Sequence, residues 1–175
     1  MALTLHEAFI PTAKQILGGM RGLIDKAEAH CSENGIDASE LYEAKLAETM
    51  WTLPWHVRAC WVHSGFAING YKGGAFSPDF TELPKDWNEM RAMIDDALAQ
   101  LDAVTPEYLE SIAGETIGFE LGGNRLMELT GQNMLLSLNQ PNFFFHATTF
   151  YDILRMKGVA LGKRDFLGTP RILGA

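Results

Sequence analysis

Residues 132–157, QNMLLSLNQPNFFFHATTFYDILRMK, carry the helical pattern that decides the fold. At about 100° per residue, one face of a helix over this stretch collects six side chains. They are Leu135, Leu138, Asn142, His146, Thr149 and Ile153. Gly158 ends the helix, because glycine accepts the left-handed conformation of a helix cap. The pattern predicts one long helix that turns this face to the core.

Asn142 and His146 are polar members of that face and lie one turn apart. A buried amide or imidazole costs about 1–3 kcal/mol unless it finds a hydrogen-bond partner. We therefore expect something polar beside them: each other, a neighbouring helix, water or a ligand. Pro141 removes one helical hydrogen bond and leaves the Ser137 carbonyl without its usual partner, which favours a kink. Such a kink can open a pocket, and it can equally be a packing device.

Three other stretches have the same helical periodicity. Their predicted ranges are residues 5–33, 54–72 and 86–104. Short helices are predicted near Ser39 and from Pro106, and the glycines and prolines of residues 73–85 predict a crossover loop.

The helical period breaks over residues 115–130, where apolar and polar side chains alternate. The alternating apolar residues are Ile117, Phe119 and Leu121, then Met127 and Leu129 after a Gly122-Gly123-Asn124 turn. This pattern predicts a small β-hairpin before the last long helix. A hairpin is marginal alone, so it must lie against the helices.

The tail, residues 160–175, is predicted to be extended and draped over the helices. We expect the charged run Lys163-Arg164-Asp165 to fix the tail through ion pairs and helix capping. A lid over the mouth of the bundle is the alternative.

These elements predict a mainly helical protein, an antiparallel bundle of four long helices that forms a single domain over residues 1–175. An apolar share of 47% and a charged share of 21% are those of an ordinary globular protein. The net charge of −8 argues against a nucleic-acid or anionic-membrane surface. The chain contains no run of about 20 apolar residues and no secretory signal, so a cytoplasmic location is predicted.

His56, Cys60 and His63 follow an i, i+4, i+7 spacing on the second long helix. Imidazoles at that spacing can converge on a metal, and an adjacent thiol becomes a thiolate when a cation or metal lowers its pKa. The other interpretation is that the two histidines are ordinary hydrogen-bonded side chains and that Cys60, like Cys31, is a free thiol. The glycine pairs lack the context of a phosphate-binding loop, which disfavours nucleotide binding.

Four motifs resemble an uncharacterised bacterial branch of the DinB/YfiT-like metalloenzyme superfamily. They are PNFFFH (141–146), YDILR (151–155), GVALGKRDFLG (158–168) and LIDKAEAH (23–30). The resemblance covers nearly the whole chain. It implies an up-down-down-up four-helix bundle that is often a homodimer. Many members of that superfamily hold a divalent metal with one histidine from the second helix and two, four residues apart, from the last.

Matching the helix ending at Gly158 to the family places His146 at the second of these positions and Asn142 at the first. The resemblance then implies a zinc or nickel site formed by His56, Asn142 and His146, with His63 as the alternative to His56. Asparagine is a poorer ligand than imidazole for either metal. The Asn-x-x-x-His pattern therefore indicates a degenerate site.

Three functional hypotheses follow. The first is a small-molecule site between the second and last helices, with Trp55, His63 and Tyr151 in the pocket and His146 as a general base or metal ligand. The second is a non-catalytic ligand-binding or dimeric bundle that has lost the metal site. If that site has become core, Asn142 and His146 should be hydrogen-bonded with no open cavity. The third, which the resemblance alone implies, is a thiol-dependent transferase.

Overall fold

The computed structural model describes residues 3–80 and 82–173, which are mainly helical with a three-stranded sheet. Their helices are α1 (Leu5–Asn34), α2 (Ser39–Tyr42), α3 (Leu53–Trp61), α4 (Ala67–Tyr71), α5 (Trp87–Asp102), α6 (Pro106–Ile112), α7 (Gly131–Asn133), α8 (Gln140–Met156) and α9 (Lys163–Leu167). Their strands are β1 (Ala75–Phe76), β2 (Thr116–Leu121) and β3 (Asn124–Thr130). Two π-helical segments, π1 (Val62–Phe66) and π2 (Met134–Asn139), join α3 to α4 and α7 to α8.

The first long helix is fixed by a cap at each end. The Thr4 hydroxyl accepts a hydrogen bond from the Glu7 amide at 3.1 Å, and the Glu7 carboxylate accepts one from the Thr4 amide at 3.2 Å. This capping box satisfies backbone donors that the helix start leaves without partners. At the other end Gly35 has a φ of 65°, which glycine adopts without strain. The predicted helix over residues 5–33 is confirmed.

The long helices pack around one hydrophobic core. Helix α3 contacts α5 and α8, and α1 contacts the same two helices. The largest fully buried side chains in this core are Phe9, Phe76, Phe143 and Phe150. Each such burial stabilises the fold by about 1.5–3 kcal/mol. The packing of α3 on α8 brings the second-helix histidines next to the last helix. None of the helices in the described ranges combines the length and apolar character that crossing a bilayer requires.

The helical segment that carries His56 and His63 and the one that carries His146 each contain a π-helical turn. In π1 the backbone leaves the helical region at His63 (φ −87°, ψ 16°) and at Ser64 (φ −122°, ψ −112°). In the last helix, π2 ends at Asn139, two residues before Pro141, whose nitrogen has no hydrogen to donate. The predicted irregularity at Pro141 therefore takes the form of a widened turn before the proline. Single π turns inside α-helices occur frequently at functional sites.

The predicted hairpin is formed by β2 and β3, with Gly122 (φ 58°) and Gly123 (φ 80°) at its turn. Strand β1 pairs with β2 in parallel, with Phe76 opposite Phe119. Residues 73–85 were predicted to form a crossover loop, and this was wrong for Ala75–Phe76, which form β1. A strand of two residues is too short to produce an alternating pattern, so the sequence contains no signal for it.

The tail follows α1 and includes the short helix α9. A Cβ atom on Gly19 would lie 2.5 Å from the Phe166 backbone oxygen, so only glycine allows this approach. The Asp165 carboxylate pairs with Lys26 at 2.6 Å and accepts a hydrogen bond from the Gly162 amide at 2.7 Å. The expected ion pair and cap are therefore confirmed. The expectation of a wholly extended tail was wrong, because Asp165 caps a helical turn.

Candidate functional site

A cavity of about 310 Å³ lies between α3 with π1 on one side and α8 on the other. Its apolar wall includes Trp51, Trp55, Val62, Phe80, Phe119 and Leu138. Its polar lining consists of Arg58, His63, Asp79, Asn142 and His146. A mostly apolar wall with a few convergent polar groups is typical of small-molecule sites, which range from about 300 to 1,000 Å³.

The imidazoles of His56 and His146 are hydrogen-bonded to each other, with 2.9 Å between their Nδ1 atoms. Both side chains are buried. The other ring nitrogen of His56, Nε2, lies 3.2 Å from the Trp51 carbonyl oxygen. A carbonyl only accepts, so His56 Nε2 donates and His56 Nδ1 accepts. His146 must then donate from Nδ1, which leaves its Nε2 as an acceptor.

His63 is held by a second polar contact, which is partly buried. Its Nδ1 lies 2.8 Å from Oδ1 of Asn139, and the Asn139 amide nitrogen donates to the Tyr71 hydroxyl. The amide oxygen accepts from His63 Nδ1, so Nε2 of His63 is also an acceptor. Neither Asn139 nor Tyr71 was expected from the sequence. The available signal was a second asparagine in the apolar stretch before Asn142.

Burial lowers the pKa of all three imidazoles. For His146, burial together with the neighbouring His56 and His63 lowers the pKa to about 3. For His56 and His63, burial lowers the pKa while the bonds to Trp51 and Asn139 oppose that shift. The three rings are therefore neutral at pH 7. A base as weak as His146 is poorly matched to proton abstraction near neutral pH, so the site is better suited to accepting hydrogen bonds.

Arg58 and Asp79 form an ion pair in the cavity wall. The Arg58 Nη2 atom lies 2.7 Å from the Asp79 carboxylate, and Arg58 Nε donates to the Asp79 backbone oxygen at 2.8 Å. The Arg58 side chain is 4% exposed and that of Asp79 is 28% exposed. The pair fastens the segment that carries Phe80 to α3. Neither residue was predicted at the site from the sequence.

Aromatic side chains form the mouth of the cavity. The Trp51 ring is parallel to that of His146 within 10°, with 5.4 Å between the ring centroids. Trp55 lies 5.0 Å from Trp51, and Phe80 lies 6.4 Å from each of the two tryptophans. Trp55 was predicted at the pocket, whereas Trp51 precedes the helix and was missed. These rings give a ligand flat apolar surfaces to contact.

The structure brings most of the predicted site residues together. His63, Asn142, His146 and Trp55 line the cavity, and His56 lies directly behind His146. The Asn142 amide nitrogen donates to the Leu138 carbonyl of its own helix at 2.8 Å, so its amide oxygen is left to accept.

Two other candidates lie apart from this cavity. Tyr151 packs edge-on against Phe166 of the tail, with 5.8 Å between the ring centroids, and does not line the cavity. Cys60 is fully buried, with its sulfur 3.7 Å from the Phe143 carbonyl oxygen. Burial raises the pKa of the Cys60 thiol and also that of Cys31, so neither forms a thiolate at neutral pH.

The donors do not fit the zinc or nickel site that the resemblance implies. Such an ion needs three or four ligand atoms about 2.0–2.3 Å from one point. Here the Nδ1 atoms of His56 and His146 share a proton, and the Asn142 amide nitrogen is bonded to its own helix. Within residues 3–80 and 82–173, no group of three or more His, Cys, Asp or Glu side chains is placed to hold a metal ion. The arrangement is a hydrogen-bonded imidazole cluster.

Residues 5–167 match a family model described as "Domain of unknown function (DUF1993)". The chain is also similar to the crystal structure of a DinB family member protein from Shewanella denitrificans, with a TM-score of 0.84 and 24% sequence identity. The similarity covers 98% of this chain and 96% of that chain. At this identity the similarity shows the fold alone. No curated protein matches the chain.

Proposed function

The chain belongs to the DUF1993 family and has a DinB-like fold, and from the geometry of its cavity we propose that it binds a small molecule between α3 and α8. One observation carries this proposal: the acceptor atoms Nε2 of His63 and Nε2 of His146 have no hydrogen-bond partner among the described residues, although both rings line the cavity. Both atoms keep contact with solvent, since Nε2 of His30 is the one fully buried side-chain atom of the described residues that has no partner. A ligand that covers the two acceptors without donating would leave each unpaired at about 1–3 kcal/mol, so the cavity selects a ligand that donates to them.

The cavity itself supports ligand binding over the hypothesis that the site has become core. That hypothesis expects no open space beside Asn142 and His146, whereas a cavity of about 310 Å³ lies against both. At its mouth Trp51 is 42% exposed and Phe80 is 47% exposed. Large exposed aromatic side chains around a concave site are typical of surfaces that a ligand covers.

Binding is also the better proposal than base catalysis by His146. With a pKa of about 3, His146 holds a proton weakly, and a general base works best with a pKa near the working pH. We therefore assign His146 and His63 the role of holding the ligand. The up-down-down-up bundle, the single domain over residues 1–175, the homodimer and the cytoplasmic location remain predictions.

A titration of ¹⁵N-labelled protein with small fragments of neutral, anionic and cationic character tests the proposal. We expect fragments to shift the indole N–H signals of Trp51 and Trp55. The variant Ala59→Phe fills the cavity from α3 and should abolish these shifts while the protein remains folded. Ala99→Phe, on the exposed side of α5, is the matched control and should bind normally. The proposal fails if no fragment shifts these signals, or if Ala59→Phe binds as the unmodified protein does.

A further inference from the structure

We infer that the ligand of this cavity is an uncharged ring compound that carries a hydrogen-bond donor. The inference rests on the ligand-binding function proposed above and adds the chemical class of the ligand. Three separate features of the cavity support it: the pairing of its charges, the roles of its hydrogen-bonding atoms and the shape of its apolar wall.

The charges of the cavity wall are already paired. Arg58 and Asp79 are the guanidinium and the carboxylate of the lining, and they bind each other through two contacts of 2.7 and 2.8 Å. A charged ligand would enter a largely apolar space in which the opposite charge is already engaged. An ion buried without a partner is costly, so the cavity favours an uncharged molecule.

The imidazole atoms left for a ligand are acceptors. The Trp51 carbonyl makes His56 donate from Nε2, so His146 donates from Nδ1 and accepts at Nε2. The Asn139 oxygen similarly leaves Nε2 of His63 as an acceptor. The two rings are parallel within 6°, with 6.3 Å between their centroids, so these acceptors belong to one small region. A ligand without an N–H or O–H group would leave them unpaired.

The apolar wall favours a flat ring. Trp51, Trp55 and Phe80 lie 5.0–6.4 Å from one another, and the Trp51 ring is parallel to that of His146 within 10°. Aromatic rings attract other aromatic rings in offset-stacked and edge-on arrangements, beyond the gain from burying their area. A ring compound would cover the exposed surfaces of Trp51 and Phe80 and still reach the acceptors.

Four naphthalene derivatives of similar size separate these requirements. 2-Naphthol is neutral with a donor, 2-methoxynaphthalene is neutral without one, 2-naphthoate is an anion and 2-(aminomethyl)naphthalene is a cation near neutral pH. Calorimetric titration at pH 7.5 should show 2-naphthol binding about ten-fold tighter than 2-methoxynaphthalene, the loss expected for an unpaired acceptor. It should also bind tighter than either charged compound.

The variant His63→Phe removes one acceptor and keeps a ring of similar size. It should reduce the preference for 2-naphthol over 2-methoxynaphthalene. Ala99→Phe should keep the full preference. Equal binding of the two neutral compounds, tighter binding of a charged compound, or no binding of any of the four overturns the inference. The fragment titration with Ala59→Phe is independent of this series, so the proposed function can hold when the ligand class is wrong.

Discussion

His56 and His146 meet Nδ1 to Nδ1 at 2.9 Å although 90 residues separate them in the sequence. The Trp51 carbonyl, which precedes α3, accepts a hydrogen bond from Nε2 of His56 and so sets the tautomer of an imidazole on α8. One backbone carbonyl thus determines which nitrogen of His146 a ligand can use. Partners of this kind fix ring orientation in many histidine sites.

The low pKa of His146 predicts a loss of stability in acid. The imidazole titrates near 6.5 in the unfolded chain and at about 3 in the folded protein. Between these values the unfolded state binds more protons. Stability is therefore fully present above pH 6.5 and falls by about 1.4 kcal/mol per pH unit as the pH drops toward 3. Urea unfolding measured from pH 7 to pH 4 should show that the free energy of unfolding depends less steeply on pH in His146→Gln than in the unmodified protein. Parallel curves for the two proteins would contradict the assigned pKa.

The buried amide of Asn139 should contribute strongly to stability. Asn139→Leu leaves both the Tyr71 hydroxyl and His63 Nδ1 without their partner, and we expect a loss of about 1–3 kcal/mol in the free energy of unfolding. Asn133→Leu, at an exposed position nearby, is the control and should change stability by less than about 0.5 kcal/mol. Chemical denaturation measures both. Equal effects of the two substitutions would mean that the buried contact does not form.

The ion pair in the cavity wall predicts a non-additive double-mutant cycle. Asp79→Asn leaves the buried Arg58 guanidinium without its carboxylate and should cost about 1–3 kcal/mol, less than for a fully buried pair because Asp79 is partly exposed. Adding Arg58→Met should recover part of that loss. Asp102→Asn, which breaks the exposed pair with Lys14, should cost less than about 1 kcal/mol. Additive losses in the cycle would contradict the coupling.

The imidazole cluster should be stable without a metal. We expect protein prepared without an affinity tag to contain less than one equivalent of zinc or nickel, and EDTA to leave its Tm unchanged, because a metal stabilises only a fold that binds it. Elemental analysis and thermal unfolding give both values. These residues would be shown to be ligands if the protein contained a full equivalent of metal and EDTA lowered its Tm, while EDTA left the Tm of the His56→Ala variant unchanged.

Much of the fold could be predicted because its signals are local and repeated. Helical periodicity over 15 or more residues averages out single exceptions, and the hairpin has alternating side chains on both sides of a double glycine. Asn142 and His146 were visible because polar residues interrupt an apolar face. The spacing of His56 and His63 likewise placed both on one side of their helix.

The rest of the site depends on contacts that local patterns do not contain. Asn139 lies in π2, where the wider turn changes the angular position of each residue, so a regular helical wheel misplaces it. Trp51 and Asp79 reach the cavity from two loops, and Asp79 is fixed there by its ion pair with Arg58 on α3. Tyr151 lies on α8 as predicted, but the tail that covers it could not be placed from sequence.

Long-range ¹⁵N NMR of the imidazoles tests the central claim most directly, because it distinguishes protonated from unprotonated ring nitrogens. At pH 7 we predict that His63 and His146 each carry their proton on Nδ1 and leave Nε2 bare, while His56 carries its proton on Nε2. A proton on Nε2 of both His63 and His146, or a doubly protonated His146, would contradict the acceptor site from which the proposed function is argued.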